Sequence, residues 1–107
     1  MPGHVVTGVQ LDERGRITRV RWYMADRIED ALAKGTMPAA LTAESVVDTL
    51  EVVDKLLDAE PVLPLFRSPH GDRLGATVKV HVQPDGTEAI EVDPPLPGQR
   101  LLDLPRL

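Results

Sequence analysis

The stretches HVVTGVQL and RITRVRWYM, near the start of the chain, carry Val, Ile and Thr in partial two-residue alternation, with DERG between them. That period belongs to strands, and a short polar connection predicts a hairpin. Gly15 supplies the positive φ that a tight hairpin loop needs. Alternation puts Val5, Val9 and Leu11 on one face of the first strand and Val20, Trp22 and Met24 on one face of the second. Arg19, Arg21 and Tyr23 fall on the opposite face. Further on, ATVKVHV sets Val78, Val80 and Val82 against Lys79 and His81, QPDGT is turn chemistry, and EAIEV returns as a partner strand.

Between the hairpins the period changes to that of helices. ADRIEDALAKG predicts a short helix, with Asp26 and Glu29 in capping-box positions and Gly35 as its stop. LTAESVVDTLEVVDKLLDAEP predicts a longer one from Thr42 to Glu60, with Thr42 as N-cap and an apolar stripe of Val46, Leu50, Val53 and Leu57. Its end places Asp58 and Glu60 at the negative pole of the helix dipole, a mismatch that calls for a cation such as Arg67 or Arg73. PVLPLF, broken by two prolines, predicts an edge strand or an extended crossover. The tail, residues 93–107, is rich in Pro and Leu and is expected to be extended and to dock on the domain or a partner.

These elements sum to a single α+β domain over residues 1–107. Two hairpins make a small, mostly antiparallel sheet, packed against one main amphipathic helix and a shorter one. The hydrophobic share of 42% suffices for a core, and aromatic content of 3% makes that core aliphatic. With no cysteine there is neither a disulfide framework nor a thiolate site. The opening MPGHVVTGVQ has no signal-peptide pattern and no run is long enough to span a bilayer, so a cytoplasmic protein without a membrane is expected. A net charge of -5 disfavours general attraction to nucleic acid.

The hairpin VVTGVQLDERGRITRVRW, a subsequent helix, a V-x-V strand with a D-G turn and the closing RLLDLPRL together resemble the uncharacterised bacterial and archaeal family called domain of unknown function 3892. This chain adds the segment ADRIEDALAKGTMPAA to that pattern, and its EAIEVDPP lacks a tyrosine-containing strand. The resemblance implies a small α+β domain with a docked C-terminal LP segment and carries no activity with it.

Three groups of residues invite a chemical reading. SPHGDRLG holds Ser68, His70 and Asp72, the residue types of a hydrolytic triad. Such members normally converge from separate segments, and no nucleophile elbow accompanies them, so a connecting loop is the simpler account. His4, His70 and His81 lack the spacing of a metal site, and no metal or cofactor is expected. Arg19, Arg21, Trp22 and Tyr23 interleave cations with aromatics as a phosphate-binding, base-stacking strand does, though they equally suit a solvated face paired with acids. The expected binding residues are therefore Arg19, Arg21, Trp22, Tyr23, Arg67, His70 and Arg73, with no catalytic residue. The function expected is a non-catalytic accessory or regulatory module acting through a protein partner or self-association. Nucleic-acid or acidic-partner binding through Arg19–Tyr23 is one alternative, and a small hydrolase or metal-dependent enzyme centred on His70 is another.

Overall fold

The computed structural model describes residues 3–25, 41–67, 69, 73–94 and 96–107. The short helix expected over ADRIEDALAKG lies outside the described residues. Among those described, the fold is α+β in kind but dominated by strands. These are β1 (Gly3–Leu11), β2 (Ile17–Ala25), β3 (Leu41–Asp48), β4 (Val62–Phe66), β5 (Arg73–Leu74), β6 (Val78–Val82) and β7 (Glu88–Val92), with one helix, α1 (Thr49–Leu57), and a 3-10 turn at Leu101–Asp103. Five strands form one sheet in the order β3-β2-β1-β4-β5, and β6 and β7 form a separate pair. The expected single sheet of two hairpins is thus corrected to two sheets. No described helix is long and apolar enough to cross a membrane.

The first hairpin forms where the alternation predicts it. Asp12 N donates to Arg16 O at 2.9 Å and Gly15 N to Asp12 O at 3.0 Å, with Gly15 at φ 78°. The Asp12 carboxylate adds two bonds, accepting from Arg14 N and Arg16 N at 2.9 Å each. The face assignment in β1 changes, because the pairing with β2 shifts register between Val6 and Gly8. An extra residue at such a bulge reverses the alternation beyond it. Val6 and Val9 therefore share the main core with Val20 and Trp22, whereas Val5 turns to a second cluster with Ala25, Leu63 and Leu65.

The helix expected from Thr42 to Glu60 is shorter. Its first half is β3, paired antiparallel with β2 from Leu41↔Ala25 to Asp48↔Arg19. Asp48, at ψ 170°, is the true N-cap, and its side chain accepts from Glu51 N at 3.0 Å. Edge pairing on β2 outweighs helix propensity over a stretch that contains the β-branched Thr42, Val46 and Val47. The buried stripe also rotates. Val52 and Val53 are buried and Leu56 packs partly against the core, while Leu50 and Leu57 are 71% and 75% exposed. At its other end α1 closes with a Schellman motif, Glu60 N donating to Lys55 O at 3.0 Å and Ala59 N to Leu56 O at 3.1 Å. Ala59 takes the left-handed position at φ 63°, where glycine would be free of Cβ strain.

PVLPLF is not an edge. β4 runs parallel to β1 (His4↔Val62, Val6↔Pro64) and is flanked on its other side by the two-residue β5. Pro64 is tolerated there because it contributes a carbonyl, which accepts from Gly75 N at 2.9 Å. Hairpin β6–β7 lies against α1 and adds Val78, Ile90 and Val92 to the main core. The tail docks as expected. Leu101 and Leu104 are buried, each such burial contributing about 1.5–3 kcal/mol. Beyond the reach of β4, Val9 exchanges bonds with the tail, Val9 N to Pro105 O at 2.9 Å and Leu107 N to Val9 O at 3.0 Å.

Candidate functional site

A groove of about 500 Å³ separates hairpin β6–β7 from the turn of the first hairpin. One wall consists of every residue from Glu88 to Asp93, and Ile17 and Thr18 stand in the other. Successive strand residues point to opposite faces, so an unbroken run of them shows that the groove reaches the outer edge of β7, while His81 and Gln83 in its lining show that it also extends over one face of the hairpin. The ladder gives the same orientation. Gln83 N donates to Thr87 O at 2.7 Å and Asp93 N to Thr77 O at 3.0 Å. Those pairs mark the residues that bond inward, and by alternation Glu88, Ile90 and Val92 direct their N–H and C=O outward. The N–H of Val92 is taken by the Glu91 carboxylate at 2.9 Å. Glu88 and Ile90 are left with open backbone groups among the described residues.

The groove exists because β3 stops at Asp48, opposite Arg19, and the chain turns into α1. Thr49 Oγ1 then donates to Ile17 O at 2.9 Å, where a further strand residue would have paired. Arg16 of the first turn meets Asp85 of the second at 3.6 Å. Arg100 meets Glu91 at 3.4 Å, and Glu91 also accepts from Leu101 N at 3.0 Å. The two turn carboxyls sit below their ordinary range, Asp12 chiefly through the backbone bond from Arg16 and Asp85 chiefly through the Thr87 hydroxyl.

The other edge of the hairpin meets a second cleft, of about 380 Å³. Thr77 to Val80 line it together with Leu56, Leu57 and Pro61.

A third cluster surrounds His4, which is 3% exposed and stacked on Trp22 with ring centroids 4.1 Å apart. Neither ring nitrogen has a hydrogen-bond partner among the described residues. Glu60 Oε1 lies 3.9 Å from His4 Nε2, and its other oxygen lies 3.6 Å from Lys55 Nζ. Burial lowers the His4 pKa from 6.5, against the pull of Glu60. The imidazole is therefore held neutral.

The binding residues expected from the sequence do not converge. Arg19, Arg21 and Tyr23 share the β2 face that carries the second cluster, and Arg21 Nε pairs with Glu44 at 3.4 Å. Trp22 is 4% exposed, donates its indole N–H to Ser45 Oγ at 3.1 Å and stacks on His4, so it offers no open ring face for a base. Arg67 and Arg73 are exposed at the β4–β5 end, and neither forms an ion pair with Asp58 or Glu60 among the described residues. The counter-ion of Glu60 is Lys55, on the same helix, because the Schellman turn folds Glu60 back beside it. His70, with Ser68 and Asp72, lies outside the described residues. Among the described residues, no group of three or more His, Asp or Glu is placed to hold a metal ion.

Sequence reasoning weighed His4 and Glu60 separately and missed both the burial of His4 beside Glu60 and the β7 groove. A histidine inside an apolar strand was a visible signal for the first. The groove had none, since it depends on where β3 stops. No family model matches the chain, and no curated protein or solved structure matches it either.

Proposed function

We propose that the chain is a non-catalytic accessory module that acts through contacts with other protein, with hairpin β6–β7 as its contact element. The observation that carries this reading is the isolation of that hairpin. Among the described residues it pairs only with itself, and each outer edge opens on a cleft. Unpaired strand edges are templates for another chain, and soluble proteins usually cover or blunt them. Exposed apolar side chains stand nearby, Val82 at 74% and Leu57 at 75%.

The experiment is selection of a random peptide library on the immobilised full chain, followed by amide shift mapping with the enriched peptides. Enrichment with shifts on β6 or β7, or concentration-dependent shifts there, supports the reading. No enrichment and no concentration dependence would overturn it. So would clustered shifts from Arg19 to Tyr23 with single-stranded oligonucleotide that vanish at high salt, which would move the function to nucleic acid.

A further inference from the structure

The two edges of the hairpin differ in what they leave open. The β6 cleft is the smaller, and its wall comes from α1 and the chain after it, including Leu56, Leu57 and Pro61. Along β7 the groove exposes backbone. Ile90 is buried at 6% yet directs an N–H and a C=O outward with no partner among the described residues. Open N–H and C=O groups on a strand edge are a template for pairing, and a strand laid beside β7 would engage them. Five residues of β7 run for about 17 Å, long enough to seat a short extended segment.

The charges of the groove select among such segments. Arg16 is paired with Asp85 and Arg100 with Glu91, while Asp12 is engaged by two backbone N–H groups. The carboxylates of Glu88 and Asp93 have no ion-pair partner among the described residues, and they lie on opposite faces of β7 at its two ends. A strand added to β7 continues the same two faces, so a cation on either face meets one of these acids.

We infer that the groove along β7 is a strand-addition site for an extended peptide segment of a partner protein carrying Lys or Arg; this rests on the reading of the chain as a protein-contact module. The segment exchanges backbone bonds with Glu88 and Ile90, places apolar side chains on the Ile90 face toward Ile17, and by alternation sets its basic groups on the opposite face, against Asp93.

The test uses the full chain and three capped peptides matched in length to β7: alternating Val and Lys, alternating Val and Glu, and the Val/Lys peptide N-methylated at every second residue. The Val/Lys peptide should shift the amides of Glu88 and Ile90 saturably. The Val/Glu and N-methylated peptides should bind at least about tenfold more weakly, the loss expected from removing one or two hydrogen bonds or a charge contact. Glu88→Pro, which removes an outward N–H without touching the inner ladder, should cause a similar loss. Where that variant disturbs the hairpin, Asp93→Lys leaves the residues of β7 unchanged and should reverse the preference between the Lys and Glu peptides. Insensitivity to N-methylation, or shifts confined to the β6 cleft, would overturn the site while leaving the contact module standing. Shifts at Glu88 and Ile90 on raising protein concentration, with no peptide response, would make a second copy the occupant and overturn the partner. Failure of these peptides and of every library peptide, without self-association, would overturn site and module together.

Discussion

Hairpin β1–β2 and hairpin β6–β7 turn the chain in the same way and then meet different surroundings. In each, the residue just past the first strand donates its N–H to a carbonyl four residues on and accepts from a left-handed glycine three residues on, Asp12 with Gly15 and Gln83 with Gly86. In each, an aspartate braces the loop, Asp12 through two backbone bonds and Asp85 through the N–H and hydroxyl of Thr87. Beyond the turns the likeness ends. β3 flanks β2, while β4 and then the tail flank β1, so that every residue from Gly3 to Val9 except Thr7 is buried. The later hairpin is sealed from beneath by the core and, among the described residues, stays open at both edges. Turn formation is therefore settled within a few residues, whereas exposure of an edge depends on what the rest of the chain brings to it.

The largest effect expected from breaking this contrast comes from strand side chains of the two hairpins. Trp22→Ala in β2 should destabilise by about 3–5 kcal/mol in urea unfolding, since it empties a buried site and frees Ser45 and His4. Val82→Ala in β6 should stay within about 0.5 kcal/mol. A loss at Val82 approaching that at Trp22 would mean that the hairpin edge is covered.

A smaller effect tests the shared turn. Gly15→Ala and Gly86→Ala should each destabilise by about 1–2 kcal/mol, from Cβ strain at positive φ alone. Space plays no part, because an added Cβ meets nothing within 4 Å at either place. Losses that differ by more than about 1 kcal/mol would show that the turns are not equivalent.

The subtlest test concerns the closed hairpin. Burial lowers the His4 pKa in the folded chain, so the unfolded chain binds the proton more readily. The stability due to neutral His4 is complete above the unfolded value of about 6.5 and is lost as pH falls through it toward the folded value. The stability difference between the natural chain and a His4→Gln variant should then shift against the natural chain as pH falls from about 7.5 to 5.5, above the range where carboxylates titrate. A flat difference would show that β1 does not hold its histidine neutral.

Both hairpins, their turn glycines and the docking of the leucine-rich tail are legible in the chain, because strand alternation and turn residues are local signals. The segment from Leu41 to Leu57 is not. Val46, Leu50, Val53 and Leu57 satisfy a helical stripe, and so do Thr49, Val52, Val53 and Leu56. Pairing of β3 with β2 ends the ambiguity by taking Leu41–Asp48 into the sheet and leaving Asp48 to cap α1. The candidate site is less legible still. The cation expected from Arg67 or Arg73 is Lys55, since a Schellman turn reverses the chain before any distant arginine is needed. Trp22 reads as a ligand platform only until its burial is known.

By itself the amino-acid order determined where the two hairpins extend and turn, and that apolar Val and Leu would make the core. Those properties follow from φ preferences, side-chain alternation and hydrophobicity, each of which acts over a few residues. Tertiary structure alone decided that β1 is enclosed and β7 open, that His4 is buried without a hydrogen-bond partner among the described residues, and that β3 gives way to α1 at Asp48 and so leaves a groove. Each of these depends on which distant strand occupies an edge, and edge pairing is a competition among segments that no local period records.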